Sequence, residues 1–169
     1  MDRAALVAAQ APLKERYRED PAAAEVVLTA EGSLGDGISC SVRTGRALAE
    51  AGLHPASGGD GSLLCSGDML LEALVGCAGV TLRAVATSIG VEVRGGEVRA
   101  DGTLDFRGTL SVARDAPVGF KDIRLRFALD TDADDEQLAT LLALTERFCV
   151  VLQTLRCAPA VDSTIERAG

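Results

Sequence analysis

The feature that most constrains this chain is a predicted helix that is apolar on nearly every side. Ser66 or Asp68 is a typical N-terminal cap, the helix extends to about Ile89, and Gly90 is its expected end. Because a helix that is apolar all round needs cover on every face, it is predicted to be central and buried. Its longest uncharged stretch has roughly ten residues, short of the roughly 20 that cross a bilayer, so no membrane span is expected.

The periodicities on either side of this helix predict an α+β fold. Before it we expect an N-terminal helix, an antiparallel hairpin and a loop rich in Gly and Ser, in which His54 is expected to be solvated. After it we expect a three-stranded meander, a second long helix that begins at Asp134 or Asp135 and ends at Pro159, and a possible last strand. In chain order, the ranges are 4–18 for the first helix, 25–31 and 38–42 for the hairpin with its turn at 32–37, 44–67 for the loop, 91–98, 103–112 and 121–129 for the meander, and 161–165 for the last strand.

Length and charge limit the classes of function. A chain of 169 residues is expected to form one domain, 1–169, with 1–21 as an N-terminal helical extension. A net charge of -8 and an aromatic content of 3% disfavour nucleic acid and anionic membrane surfaces as partners. The early apolar run is shorter than a signal sequence requires, which predicts a cytoplasmic protein.

The five cysteines are expected to be reduced thiols. An odd number without a closely spaced pair, beside a single histidine, fits neither a disulfide framework nor a structural zinc site. Cys77 lies midway along the apolar helix, and Cys149 lies near the centre of the apolar stripe of the second long helix. Two inward thiols can meet and attack an electrophilic oxygen, or they can serve only as small packed hydrophobes. The pattern by itself leaves both interpretations open.

Four segments resemble the OsmC/Ohr-like family. The likeness covers about residues 26–166 and includes both cysteine segments, each in the order that the family shows. In chain order, the segments are Ser66–Arg83, with its cysteine at Cys77; Asp105–Gly108; Val118–Ile123; and Glu146–Leu155, with its cysteine at Cys149.

The resemblance implies a fold, an activity and a set of partners. It implies an OsmC-like intertwined homodimer with two long central helices per chain, an antiparallel sheet outside them and active sites at the subunit interface. It implies a thiol-dependent peroxidase for organic hydroperoxides, with Cys77 as the peroxidatic thiol and Cys149 as the resolving thiol. A dithiol, either a lipoyl group or a small thiol, would be the reductant, and no cofactor or metal is implied.

Two departures from the family's pattern concern the activation of Cys77. Asp68 stands near the position of the family's glutamate, one methylene shorter, and Val150 stands where the second cysteine is usually followed by proline. No arginine matches a family motif, so one of several candidates, or the positive end of a helix, is expected within about 4 to 6 Å of the Cys77 sulfur. The candidate arginines are Arg16, Arg18, Arg43 and Arg46. The alternative is a redox-inert OsmC-like protein that binds a small apolar ligand in the same pocket.

Overall fold

The architecture combines helices with an antiparallel sheet, as the sequence predicts. The computed structural model describes residues 3–34, 40–42, 51–165 and 167. Short 3-10 turns at Pro21–Ala24 and Pro55–Ser57 connect some of its elements. In chain order, the elements are α1 (Arg3–Glu19), β1 (Glu25–Leu34), β2 (Cys40–Val42), β3 (Ala51–Gly52), β4 (Leu64–Cys65), α2 (Ser66–Ile89), β5 (Gly95–Asp105), α3 (Phe106–Thr109), β6 (Phe120–Asp130), α4 (Asp135–Phe148) and α5 (Val150–Arg156).

The main sheet has the strand order β2-β1-β5-β6, and its neighbouring strands are antiparallel. The predicted hairpin is confirmed as the pair of β1 and β2, although positions 35–37 of its turn lie outside the described residues. The predicted loop contains β3 and β4, which form a small parallel pair just before α2. One face of the main sheet packs against α2, and this contact forms the core.

The prediction of a three-stranded meander is wrong, because the two segments predicted as its first strands are covered by one strand, β5. The interruption predicted between 98 and 103 falls inside β5, where Gly102 pairs with Ile123 of β6. A Cβ atom at Gly102 would stand 2.6 Å from the ring of Phe120 and 3.3 Å from the Leu71 side chain. The glycine therefore allows close packing between the strand and its neighbours rather than a turn.

Strand β5 ends at Asp105, the first residue of one of the segments that resemble the OsmC/Ohr-like family. Asp105, 2% exposed, accepts a hydrogen bond from the backbone N–H of Arg107 at 3.0 Å and pairs with its guanidinium at 2.6 Å. The hydrogen bond from Arg107 holds the pKa of the Asp105 carboxyl below its usual value, against the effect of burial. A Cβ at Gly108 would stand 2.3 Å from the Pro117 carbonyl oxygen. In the described structure, this segment makes a turn and contributes no side chain to the cysteine pair.

Helix α2 has the predicted length and end, but not the predicted cap. It spans Ser66–Ile89, and Gly90 closes it with φ +73°. Its N-cap is Cys65, which makes no side-chain capping hydrogen bond, so the prediction of Ser66 or Asp68 as the cap is wrong. The buried face of the helix packs against the sheet and α4; its members are Leu71, Leu74, Val75, Ala78, Gly79, Leu82, Val85 and Ala86.

By length and composition alone, α2 also meets the criterion for a membrane-crossing helix, contrary to the sequence prediction. Its mean hydropathy in the most apolar window is 1.7, and 44% of that window is buried inside the fold. The sequence prediction considered only uncharged stretches, whereas the isolated charges in this helix leave its mean hydropathy high. In this structure α2 is the core helix of the chain.

The N-terminal helix is confirmed and is anchored by one aromatic residue. Tyr17 is 2% exposed, and its hydroxyl donates a hydrogen bond to the Ala56 carbonyl at 2.7 Å. His54 lies beside it half-buried, stacks on Phe106 with 5.0 Å between ring centroids, and accepts the N–H of Ala56 on Nδ1 at 3.0 Å. The prediction of a solvated His54 is therefore wrong, because α1 and α3 enclose the loop.

The C-terminal part of the chain differs from the prediction of a last strand. Residues 161–165 form no strand in the described structure, and Val161 and Ile165 are 80% and 101% exposed. Alternating apolar residues indicate a strand only where a sheet edge is available to pair with them.

Candidate active site

Two cysteines meet in the core, and they are the two that the sequence indicates. Cys77 lies midway along α2, and Cys149 lies fully buried between α4 and α5. Both are free thiols, and the two side chains are hydrogen-bonded to each other. A pair of neighbouring thiols is what the formation of a disulfide requires.

Cys149 stands at a sharp bend between two helices. It is the C-cap of α4 and the N-cap of α5, with φ -71° and ψ 105°, and the two helix axes differ by 72°. The start at Asp134 is confirmed by a capping box with Gln137, but the prediction of one continuous helix is wrong. A bend at one residue leaves the apolar spacing intact on both sides, so the periodicity does not reveal it.

Hydrogen-bond donors around the Cys77 sulfur favour its thiolate form. Burial would raise the pKa of Cys77, but the N–H groups of Val151 and Val150, the Cys149 thiol and the Thr81 hydroxyl together hold it below its ordinary value. Thr81 lies one helical turn after Cys77, a spacing that the sequence could have revealed. The N–H groups of Val150 and Val151 are available to the Cys77 sulfur only because the chain bends at Cys149.

The second thiol has the opposite tendency. Burial raises the pKa of Cys149, and the neighbouring Cys77 sulfur raises it further, whereas the hydrogen bond from the Leu152 N–H lowers it. The pair therefore divides into one thiol that ionises more readily and one that keeps its proton. Because the two thiols titrate together, the proton on Cys149 favours the ionisation of Cys77.

No arginine contributes to the pKa shift of Cys77 among the residues that the structure describes. Arg16 and Arg18 lie on α1, where Arg18 is 4.0 Å from Glu15, and α1 packs against α3 and the 3-10 turns. Arg43 and Arg46 lie outside the described residues. The alternative expectation was the positive end of a helix near the Cys77 sulfur. The N–H groups of Val150 and Val151, at the start of α5, fit this alternative.

Asp68 lies in the first turn of α2, well separated from the cysteine pair. Nine residues of helix place it about 13 Å from Cys77 along the helix axis. Burial raises the pKa of its carboxyl, and the charge of His54 opposes this shift. Burial and the charge of Asp68 likewise raise the pKa of Glu72. The structure thus brings Cys77 and Cys149 together and leaves Asp68 outside that contact; its role stays a prediction.

A groove of about 710 Å³ lies between β6 and the helices, and neither Cys77 nor Cys149 is among the residues that line it. Its apolar wall includes Leu74 and Leu152, which belong to or pack against the same core cluster as the two cysteines. Phe148 and Val150, the neighbours of Cys149 in the chain, are 54% and 71% exposed. The surroundings of the pair are therefore apolar, with charged side chains such as Glu146 and Arg156 also lining the groove.

The other cysteines with described side chains do not contribute to the pKa shifts of this pair, although Cys65 packs against the same core cluster as Cys149. Cys65 is half-buried at the start of α2, and Cys157 is exposed at the end of α5. Across the described part of the chain, no three His, Cys, Asp or Glu side chains are grouped so that they could hold a metal ion.

Comparison with known proteins identifies a family and a fold. The sequence profile of the OsmC-like protein family matches residues 59–164. The fold is similar to that of an OsmC-like hydroperoxide resistance protein from Jannaschia sp. CCS1, with TM-score 0.62 and 21% identity over 85% of this chain and 95% of that one. It is also similar to an OsmC-like protein from Mycoplasma pneumoniae, with TM-score 0.56 and 13% identity over 79% of this chain and 86% of that one. No curated protein sequence matches the chain.

Proposed function

The chain belongs to the OsmC-like protein family, and from this premise we propose that it is a thiol-dependent peroxidase that reduces organic hydroperoxides. The observation that carries the proposal is the contact between Cys77 and Cys149, in which the first thiol has a lowered pKa and the second a raised one. A peroxidase of this type needs one ionised thiol to attack and one nearby thiol to resolve the product. One structural neighbour is described as a hydroperoxide resistance protein, which adds support.

In the first step, the Cys77 thiolate attacks the distal oxygen of the hydroperoxide. A sulfur–oxygen bond forms, the oxygen–oxygen bond breaks, and the alkoxide leaves and takes a proton to become the alcohol. Sulfur is oxidised to the sulfenic acid and the peroxide is reduced by two electrons. Hydrogen bonds from the Val150 and Val151 N–H groups favour the ionised form of Cys77 for this attack, and no arginine among the described residues adds to the lowering of its pKa.

In the second step, the Cys149 thiol condenses with the sulfenic acid. The disulfide forms and the sulfenic oxygen leaves as water, which protects Cys77 from further oxidation. A dithiol, either a lipoyl group or a small thiol compound, then reduces the disulfide and is itself oxidised to a disulfide. This cycle suits a reducing compartment, and we propose the cytoplasm.

The apolar surroundings favour alkyl hydroperoxides over hydrogen peroxide. The exposed side chains of Phe148 and Val150 flank Cys149 in the chain, and Leu74 and Leu152 pack close to the pair. Transfer of an alkyl group from water to such surfaces is favourable, whereas hydrogen peroxide gains nothing from them.

We retain Asp68 as a third site residue within the same proposal.

We also propose that the protein is a homodimer. Helix α2 leaves Leu70, Val80 and Ile89 at 37%, 40% and 38% exposed, and Leu142 on α4 is 45% exposed beside the groove. A second copy of the chain would cover these side chains and complete their burial. Sedimentation at micromolar concentration should give the mass of a dimer; a stable monomer would contradict this proposal.

The pH dependence of alkylation tests the proposed division between the two thiols. We expect Cys77 in the folded protein to reach half of its maximal iodoacetamide rate at a lower pH than in urea, since its pKa is lowered, and Cys149 at a higher pH. Below its midpoint, the alkylation rate of Cys77 should decrease as the pH is lowered, and above the midpoint the rate should be constant. Mass spectrometry of each cysteine peptide gives the two profiles separately.

The midpoint is informative even where burial slows the reagent, because limited access lowers the maximal rate and leaves the midpoint unchanged. A folded Cys77 midpoint above about 9 would support the redox-inert ligand-binding alternative, since a packed thiol without stabilising donors has a raised pKa.

A further inference from the structure

The bend at Cys149 exists without the local features that usually impose one. Val150 is not a proline, and Cys149 makes no side-chain capping hydrogen bond to α5. Helix α5 has only seven residues, too few to be stable as an isolated helix in water. Contacts with the rest of the fold must therefore set its direction.

One such contact replaces a helical hydrogen bond across the bend. In an uninterrupted helix, the N–H of Val150 would donate to the carbonyl of Glu146, four residues earlier. Here the side-chain amide of Gln153 donates to that carbonyl at 2.7 Å, and the N–H of Val150 is directed at the Cys77 sulfur. Gln153 thus satisfies the carbonyl that the bend leaves without its helical donor.

A second contact joins the same residue of α4 to the last turn of α5. The guanidinium of Arg156 donates to the two carboxylate oxygens of Glu146 at 2.9 and 3.1 Å. The side chains are 49% and 37% exposed, so the ion pair is partly screened and is the weaker restraint. Gln153 therefore hydrogen-bonds to the backbone carbonyl of Glu146, and Arg156 pairs with the side-chain carboxylate of the same residue.

We propose that Gln153 is a positioning residue: its amide takes the place of the Val150 N–H at the Glu146 carbonyl, which frees the N–H groups of Val150 and Val151 for the Cys77 sulfur. The ion pair of Glu146 with Arg156 holds the far end of α5 in the same direction. This inference rests on the proposed function, because it assigns the two N–H groups a role at the peroxidatic thiol.

Replacement of Gln153 by methionine tests the inference with little change in side-chain volume. Without the amide donor, the Cys77 alkylation midpoint should rise by about half a pH unit to one unit, and at a pH below both midpoints peroxide consumption should fall about three- to ten-fold. At a pH above both midpoints, the two proteins should react with peroxide at similar rates. Thr154→Ala, an exposed change on the same helix, should leave both quantities unchanged.

This convergence at high pH separates positioning from a general loss of structure, which would lower the rate at every pH. An unchanged midpoint in Gln153→Met, with the wild-type protein active, overturns the positioning role and leaves the peroxidase proposal intact. A wild-type Cys77 that reacts with neither peroxide nor iodoacetamide overturns the proposed function instead.

A proline variant provides a second test that does not depend on one substitution. In Val150→Pro, the ring forbids the uninterrupted helix and disfavours a helical Cys149, so the bend no longer needs Gln153. The ring also removes the Val150 N–H, so the Cys77 midpoint of this variant should itself rise, and the comparison concerns only the additional shift that Gln153→Met causes. Adding Gln153→Met to Val150→Pro should therefore shift the midpoint less than Gln153→Met shifts it in the wild-type protein. Equal shifts in the two backgrounds would contradict the proposal.

Discussion

Replacement of Cys77 by serine is expected to abolish the reduction of cumene or tert-butyl hydroperoxide with a dithiol donor. A serine hydroxyl does not ionise near neutral pH, so the hydrogen bonds that hold the Cys77 thiolate have no anion to stabilise. Loss of a nucleophile of this kind lowers the rate by at least about 10³-fold. Peroxide consumption under excess dithiol measures the effect directly.

Two further cysteine variants make this result specific. Cys149→Ser keeps the peroxidatic thiol, so it should complete one turnover and then accumulate sulfinic acid at Cys77, which mass spectrometry detects. Cys157→Ser removes an exposed thiol outside the pair and should retain full activity. Activity that survives in Cys77→Ser, or that disappears in Cys157→Ser, would show that the reacting thiol lies elsewhere.

The largest effect on stability is expected for Leu71→Ala, with a loss of about 2 to 5 kcal/mol in the free energy of unfolding. Leu71 has no exposed surface and lies in the core cluster between α2 and the sheet, next to Gly102 and Phe120. Removal of its three outer carbon atoms leaves a cavity where the glycine of β5 and the aromatic ring of β6 already pack closely. Urea unfolding followed by circular dichroism measures the change.

The matched control is Leu53→Ala, the same chemical change at a side chain that is 44% exposed. It should cost less than about 1 kcal/mol, because little apolar surface is returned to water. Both variants need several protein concentrations, since dimer formation would add a concentration-dependent contribution to stability. Equal losses in the two variants would mean that α2 is not the centre of the core.

The sequence identified the elements whose signals are local. Helix α2 follows from its unbroken apolar composition, its end from Gly90, and the start of α4 from Asp134, because caps and periodicity act within a few residues. Cys77 and Cys149 were identified by their positions on apolar faces and by resemblance. Strand β5 was divided wrongly because Gly102 has the same local signature whether it makes a turn or admits a neighbouring ring.

By itself, the sequence determined a central apolar helix, a sheet and two inward thiols, since side-chain hydrophobicity and capping depend on neighbours along the chain. The tertiary structure alone decided how Cys77 is stabilised. The donors of Val150 and Val151 are backbone groups that every residue but proline carries, so no residue type marks them. They act at Cys77 because the chain bends by 72° at Cys149 and packs α5 against α2, a contact between segments far apart in the sequence.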